Sequence, residues 1–208
     1  MKPMPGKMTL RSTPTSPFSR KVKIASLLLG LADRIVAEFA DPLKADDTLR
    51  QQNPLGKMPT LLLEDGGIIY DSVVILDYLD QLAGGGKIVP ADLVMRREAL
   101  TLQALADGIM DAAILIVYEG RHRPAEKHHE PWLDYQRGKI VRALTALDAT
   151  PPVAEPNVGT IALACALGYL DWRKQVDWRP RFANLVGWLD AFRAAVPAFD
   201  QTYAAPKD

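Results

Sequence analysis

The sequence has one cysteine, Cys165, in 208 residues. A single thiol cannot close an intramolecular disulfide, form a CxxC redox pair or build a cysteine-rich zinc site, and it is compatible with a reducing compartment. An excess of charge of either sign is also missing. The 25 Lys and Arg residues balance 25 Asp and Glu residues, for a formal net charge of +0. No overall attraction to nucleic acid or to an anionic membrane is expected, so any positive site has to be local. The opening MKPMPGKMTL lacks a long apolar run and fits neither a secretory signal nor a membrane anchor, which makes a cytoplasmic protein the expectation. The three histidines, His122, His128 and His129, lack the acidic and cysteine company of a metal site, and no metal is expected.

Hydrophobic residues make up 48% of the chain and charged ones 24%, a soluble globular composition. The pattern changes character near Gly84 to Ala91, which divides the chain into residues 1–84 and 91–208. In the first part MTLRS reads as a strand. FSRKVKIASLLLGL then reads as a helix with Val22, Ile24, Ala25, Leu28 and Leu29 on its apolar face. RIVAEFA is a β-branched strand, and LKADDTLRQQN a short polar helix or turn. PTLLLED and IIYDS flank a Gly-Gly turn as a hairpin. SVVILDYLDQLAG returns to helical spacing through Val74, Ile75, Tyr78, Leu79 and Leu82. The order is βαβ, an irregular helix, then ββα.

The second part shows long amphipathic helical patterns and no strand text, which predicts an all-α bundle. VGTIALACALGYLDWR is apolar nearly all round and should be a central buried helix. RPRFANLVGWLDAFRAAVPAF is a last helix or pair of helices.

Three local features could carry chemistry. Pro59 in KMPT opens a strand without an N–H, which suits an edge or a place where the backbone turns toward a ligand; a strand-starting proline has the same signature. Asp71 and Ser72 stand where a strand becomes a helix, as plain caps or as an anion site. RSTPTSPFSRKV places Ser12, Thr13, Thr15, Ser16 and Ser19 between a strand and a helix.

NPLGKMPTLL followed by YDSVVILDYLD, with SPFSRKVKIA upstream, a glycine-rich linker and IALACALGYLDWR downstream, resembles the cytosolic glutathione transferases over the whole chain. The resemblance implies an α/β thioredoxin-like N-terminal domain that binds glutathione and an all-α helical-bundle C-terminal domain that walls the electrophile site. It also implies a cis Met58–Pro59 bond, turning the Met58 N–H and C=O outward to pair with the ligand backbone like an added strand. Ser72 would hold the γ-glutamyl carboxylate and Asp71 its amino group, where most relatives carry Glu or Gln. Lys57 and Lys44 would approach the glycyl carboxylate, each contributing under about 1 kcal/mol.

Ser16 precedes Pro17, and proline suits the first helical position, so Ser16 reads as the N-cap. It aligns with the serine of tau-class SPF sequences and the cysteine of omega-class CPF ones. A hydroxyl donor to a thiolate contributes roughly 1.5–3 kcal/mol and a helix terminus roughly 0.3–1 kcal/mol. Together they lower a thiol pKa by about one to three units. Thr13, Thr15 and Ser12 are the competing hydroxyls. Serine at this position cannot form a mixed disulfide, which favours conjugation or addition over thiol transfer. A glutathione-binding protein without turnover, or a glutathione-dependent isomerase, dehalogenase or lyase, are the alternatives.

In the second domain Tyr118, Arg121, His122 and Arg123 end a long helix near a turn that could line a cleft. Tyr118, Arg121 and Thr13 are the candidates for the electrophile site, and Tyr118 reads equally as core. Asn157 should cap the central helix, with Thr160 in place of the family's usual Asp reciprocating less well. Cys165 reads as an inert buried thiol. The resemblance implies a homodimer packed along MRREALTLQALADGIMDA.

Overall fold

Strand β1 (Met8–Ser12) lies at the centre of the first half and turns through Thr13–Thr15 into helix α1 (Pro17–Leu28). The structure, a computed structural model, describes residues 6–204. Strand β2 (Ile35–Phe39), a single helical turn α2 (Leu49–Gln52), strands β3 (Thr60–Leu62) and β4 (Ile68–Ile69), and helix α3 (Ser72–Leu82) follow in the order the sequence predicts. The sheet order is β2-β1-β3-β4. β1 and β2 are parallel, with Ser12 opposite Phe39; β3 runs antiparallel to β1, with Thr60 opposite Arg11; β4 runs antiparallel to β3, with Ile69 opposite Leu61. The hairpin turns at Gly66, whose φ of 85° is open to glycine, and closes through Leu63 N–H to Gly67 C=O at 2.8 Å.

Leu10, Val22, Ile24, Ala25, Leu61, Ile75, Leu76 and Leu79 form the buried centre of this half. Two positions depart from the expected helical faces. Leu28 is exposed, and Lys21 is fully buried. Helix α1 has a second neighbour that its own periodicity does not reveal: the short helix α8 (Ala198–Gln201), whose Phe199 C=O accepts from Arg20 Nη2 at 2.6 Å. The Arg20 guanidinium also sits 3.9 Å from the Phe199 ring centre. In α3, Val74 is exposed and Leu76 buried. Four consecutive apolar residues, Val73 to Leu76, leave the phase of the helix open to choice.

The glycine-rich linker is fastened by a buried carboxylate. Asp80 accepts from Gly86 N–H at 2.7 Å, Lys87 N–H at 2.9 Å and Ile88 N–H at 2.7 Å. Gly84, Gly85 and Gly86 all have positive φ, which wraps the chain around that carboxylate.

Helices α4 (Leu93–His122), α5 (Glu130–Ala149), α6 (Val158–Arg173) and α7 (Ala183–Ala195) follow. The chain divides into two compact units at Arg96/Arg97, with the segment from Ala198 returning to the first. The break lies later than Gly84–Ala91 because the first turn of α4 stays with α3, through Arg96 Nη2 to Asp77 Oδ1 at 3.2 Å. One stretch of α4 is long and apolar enough to cross a membrane. It buries Ala99, Gln103, Ala106, Met110 and Ala113 at alternating steps of four and three, the spacing of a helix in a bundle.

Helix α6 is buried from Val158 to Leu170, as its all-round apolarity predicts. A Cβ on Gly159 would stand 2.6 Å from the Ala99 C=O, so only glycine lets the two helices approach there. Asn157 Oδ1 accepts from Gly159 N–H at 2.8 Å and Thr160 N–H at 3.1 Å. Thr160 does reciprocate in full, taking the Asn157 N–H at 2.9 Å, and its own hydroxyl reaches Glu155 C=O at 2.7 Å. A threonine is thus fixed in place by a second bond of its own.

Candidate active site

The strand register brings the predicted first-unit residues to one end of the sheet. β1 leaves the sheet at Ser12, next to the point where β3 enters at Thr60, because Arg11 faces Thr60. β4 leaves at the same end, one residue past the Ile69–Leu61 pair, and delivers Asp71 and Ser72 there. β2 exits beside Ser12 and starts the segment that carries Lys44. The ends of β1, β2 and β4 and the start of β3 therefore share one edge.

Ser16 is the N-cap of α1, with Pro17 at the first helical position. Its Oγ accepts from Ser19 N–H at 3.2 Å. That bond uses a lone pair and leaves the Ser16 O–H as a donor. Thr13 and Thr15 pair with each other, their hydroxyl oxygens 3.3 Å apart, and Ser12 is buried as the last residue of β1. Of the competing hydroxyls, Ser16 alone combines a helix start with partial exposure.

The loop before β3 is tied together by Asn53. Its Nδ2 donates to Lys57 C=O at 2.9 Å and to Thr60 Oγ1 at 3.2 Å, and its Oδ1 accepts from Leu55 N–H at 3.0 Å. Gly56 makes the turn with φ of 59°. Met58–Pro59 is cis. Among the described residues the Met58 N–H and C=O make no hydrogen bond, which leaves a strand-like donor and acceptor beside the sheet edge.

Asp71 is the N-cap of α3, its Oδ1 accepting from Val73 N–H at 3.0 Å. Ser72 is the first helical residue and is 2% exposed. Lys57 and Lys44 are exposed and without an ion pair among the described residues.

Arg11, a residue that no motif singles out, organises the Lys44 segment. Its buried guanidinium donates to Thr48 Oγ1 at 2.8 Å, Gln52 Oε1 at 2.6 Å and Asp47 Oδ1 at 2.8 Å. Asp47 in turn accepts from the N–H groups of Asp41 and Leu49. Those main-chain donors, with Arg11 added, hold the Asp47 carboxyl below the usual carboxylate range. The signal was a charged residue at an inward strand position, Arg11 in MTLRS.

In the second unit Tyr118 is 42% exposed rather than core, with the Arg121 guanidinium 5.4 Å from its ring centre and His122 packed edge-on at 5.5 Å. Tyr169 of α6 belongs to the same neighbourhood. Burial pushes its phenol above the ordinary value, against the pull of the Arg173 and Arg121 charges. Cys165 is buried in α6, as expected of a packing thiol.

Residues 10–87 match the family described as glutathione S-transferase, N-terminal domain. The chain is 38% identical over 188 residues to the uncharacterized GST-like protein YibF of Escherichia coli (strain K12), covering 86% of this chain and 92% of that one. A glutathione transferase family member from Pseudomonas fluorescens Pf-5, solved with bound glutathione, is similar with a TM-score of 0.90 and 42% identity, over 96% of this chain and 100% of that one. A structure of that family member with bound S-(propanoic acid)-glutathione superposes with a TM-score of 0.85 at 41% identity, with the same coverage.

Proposed function

This chain belongs to the cytosolic glutathione S-transferase family, and we propose that it is an enzyme that conjugates glutathione to a small electrophile. The observation that carries this reading is the convergence of Ser16, the unpaired Met58 main chain and the Asp71–Ser72 helix start at one end of the sheet. Glutathione, an extended peptide with a carboxylate at each end, matches a strand-like main chain flanked by a helix start and two free lysines.

Met58 pairs with the cysteinyl main chain. Ser72 and the α3 N–H groups take the γ-glutamyl carboxylate, and Asp71 its ammonium group through the oxygen that does not cap the helix. Lys57 and Lys44 face the glycyl carboxylate. Ser16 donates its O–H to the thiolate sulfur after the thiol proton has passed to water. The sulfur then forms a bond to the electrophilic carbon. Either a leaving group departs with its electron pair, or the π pair of an activated double bond moves to the neighbouring carbon, which takes a proton from water. The S-substituted glutathione bound by the Pseudomonas fluorescens relative supports this direction, since a carbon on that sulfur is what conjugation leaves.

A cytoplasmic location fits the family. A homodimer packed along α4 is supported by exposed Leu93, Val94, Met95 and Leu105 on that helix.

Calorimetric titration with glutathione, followed by turnover on a panel of electrophiles, tests the proposal. Wild type should bind glutathione, and Ser72→Ala should bind it about tenfold or more weakly. Absence of binding by wild type contradicts the proposal.

A further inference from the structure

The two lysines assigned to the glycyl carboxylate sit on loops that meet at one buried arginine. Lys44 lies in a closed turn: its N–H donates to Asp41 C=O at 3.1 Å, and its C=O accepts from Asp47 N–H at 3.4 Å. The Asp47 carboxylate closes the turn a second time by taking the Asp41 N–H at 2.8 Å, and Arg50 Nη2 reaches Pro42 C=O at 2.8 Å. Arg11 fastens this turn to the sheet. Its Nη2 donates to Asp47 Oδ1 at 2.8 Å, and its Nη1 to Thr48 Oγ1 at 2.8 Å and Gln52 Oε1 at 2.6 Å.

The loop that carries Lys57 meets the same residue. Arg11 stands opposite Thr60 in the β1–β3 register, and Thr60 Oγ1 donates to Lys57 C=O at 2.9 Å. Asn53, next in the chain to Gln52, donates to that same carbonyl at 2.9 Å. Arg11 is 3% exposed, so it acts on a ligand only through these loops. A lysine in its place would offer a point charge, whereas the planar fork of a guanidinium serves three acceptors from two adjacent nitrogens. Its removal leaves the Asp47 carboxylate without a cation and the Thr48 and Gln52 oxygens without that donor. The spacing of Lys44 from Lys57 then loosens, while Ser16 keeps its cap bond at the start of α1.

Resting on the transferase reading above, we propose that Arg11 is the positioning residue for the glycyl end of glutathione. It sets the spacing of Lys44 and Lys57, and through them the preference for a peptide that ends in a carboxylate. The thiol and the γ-glutamyl end are served by the starts of α1 and α3, to which Arg11 makes no hydrogen bond. Loss of Arg11 is therefore felt at one end of the peptide and not along its whole length.

Calorimetric titration with glutathione and with glutathione amide, whose glycyl carboxylate is replaced by a neutral carboxamide of the same shape, isolates that end. Wild type should bind glutathione about tenfold more tightly than the amide, with the preference falling as salt is raised. Arg11→Met should lose most of that preference and bind the amide within about twofold of wild type. In turnover its KM for glutathione should rise about tenfold, with kcat at saturation within about twofold. Thr48→Val and Gln52→Leu each remove one acceptor of the guanidinium at a half-buried position, and each should reduce the preference about two- to threefold. These two variants decide the matter if Arg11→Met does not fold. Equal binding of glutathione and its amide by wild type, an equal loss of both in Arg11→Met, or a preference that survives all three substitutions overturns the proposal. An equal loss of both is what a merely structural arginine would produce. If the preference and its loss hold but no electrophile is turned over, the transferase reading falls and the positioning role stands; if wild type binds neither peptide, both fall.

Discussion

In the first unit the candidate contacts with glutathione are chain ends: the cap of α1, the main chain before β3 and the start of α3. In the second unit the candidates for the acceptor, Tyr118 and Arg121, are whole side chains near the end of the long helix α4. Main-chain donors stay in place as long as the strands keep their register, so the first site is tied to the fold itself. The side chains of the second can be exchanged without touching the helices that carry them. One scaffold can thereby keep its peptide co-substrate while its acceptor changes.

The division can be broken most forcefully at Asp80, which holds three linker N–H groups and touches no candidate ligand contact. Asp80→Ala should cost on the order of 3 kcal/mol by urea unfolding. Ser72→Ala, by contrast, should lose glutathione affinity and change stability far less. If Ser72→Ala proves as destabilising as Asp80→Ala, the helix start is a structural joint and not a ligand site.

The matching substitution in the second unit is Asn157→Ala, which removes the α6 cap and should cost about 1 kcal/mol. Glutathione affinity should not follow it.

Acid provides a smaller test of the Lys44 segment. Asp47 is depressed in the folded state, so its contribution to stability is complete above its unfolded value of about 3.9 and is lost as pH falls through the lower folded value. Asp47→Asn should flatten that part of the acid unfolding curve and leave its neutral-pH shape unchanged. The smallest effect belongs to Lys57→Ala, under about 1 kcal/mol in glutathione affinity and shrinking further with salt.

What the sequence disclosed follows the same division. The turn at Gly66, the Pro59 strand start and the caps at Ser16, Asp71 and Asn157 depend on backbone chemistry that few residue types satisfy, so their spacing could be read directly. The buried face of α1 could not, because part of it is completed by α8 from the far end of the chain, whose Phe199 C=O and ring hold the Arg20 guanidinium inward. Arg11 was hidden for a similar reason: its partners Asp47, Thr48 and Gln52 lie on a segment that reads only as polar turn. In the second unit Tyr118 and Arg121 were legible as the end of a helix.

The central claim is that Ser16 stabilises a bound thiolate. Titrating glutathione bound to wild type and to Ser16→Ala, followed by the ultraviolet absorbance of the thiolate against pH, measures it directly. The wild-type complex should ionise about one to three units below a free thiol, near 8.5, and Ser16→Ala should recover most of that shift, with turnover at neutral pH reduced about tenfold or more. Two complexes that bind glutathione equally and ionise at the same pH would contradict it.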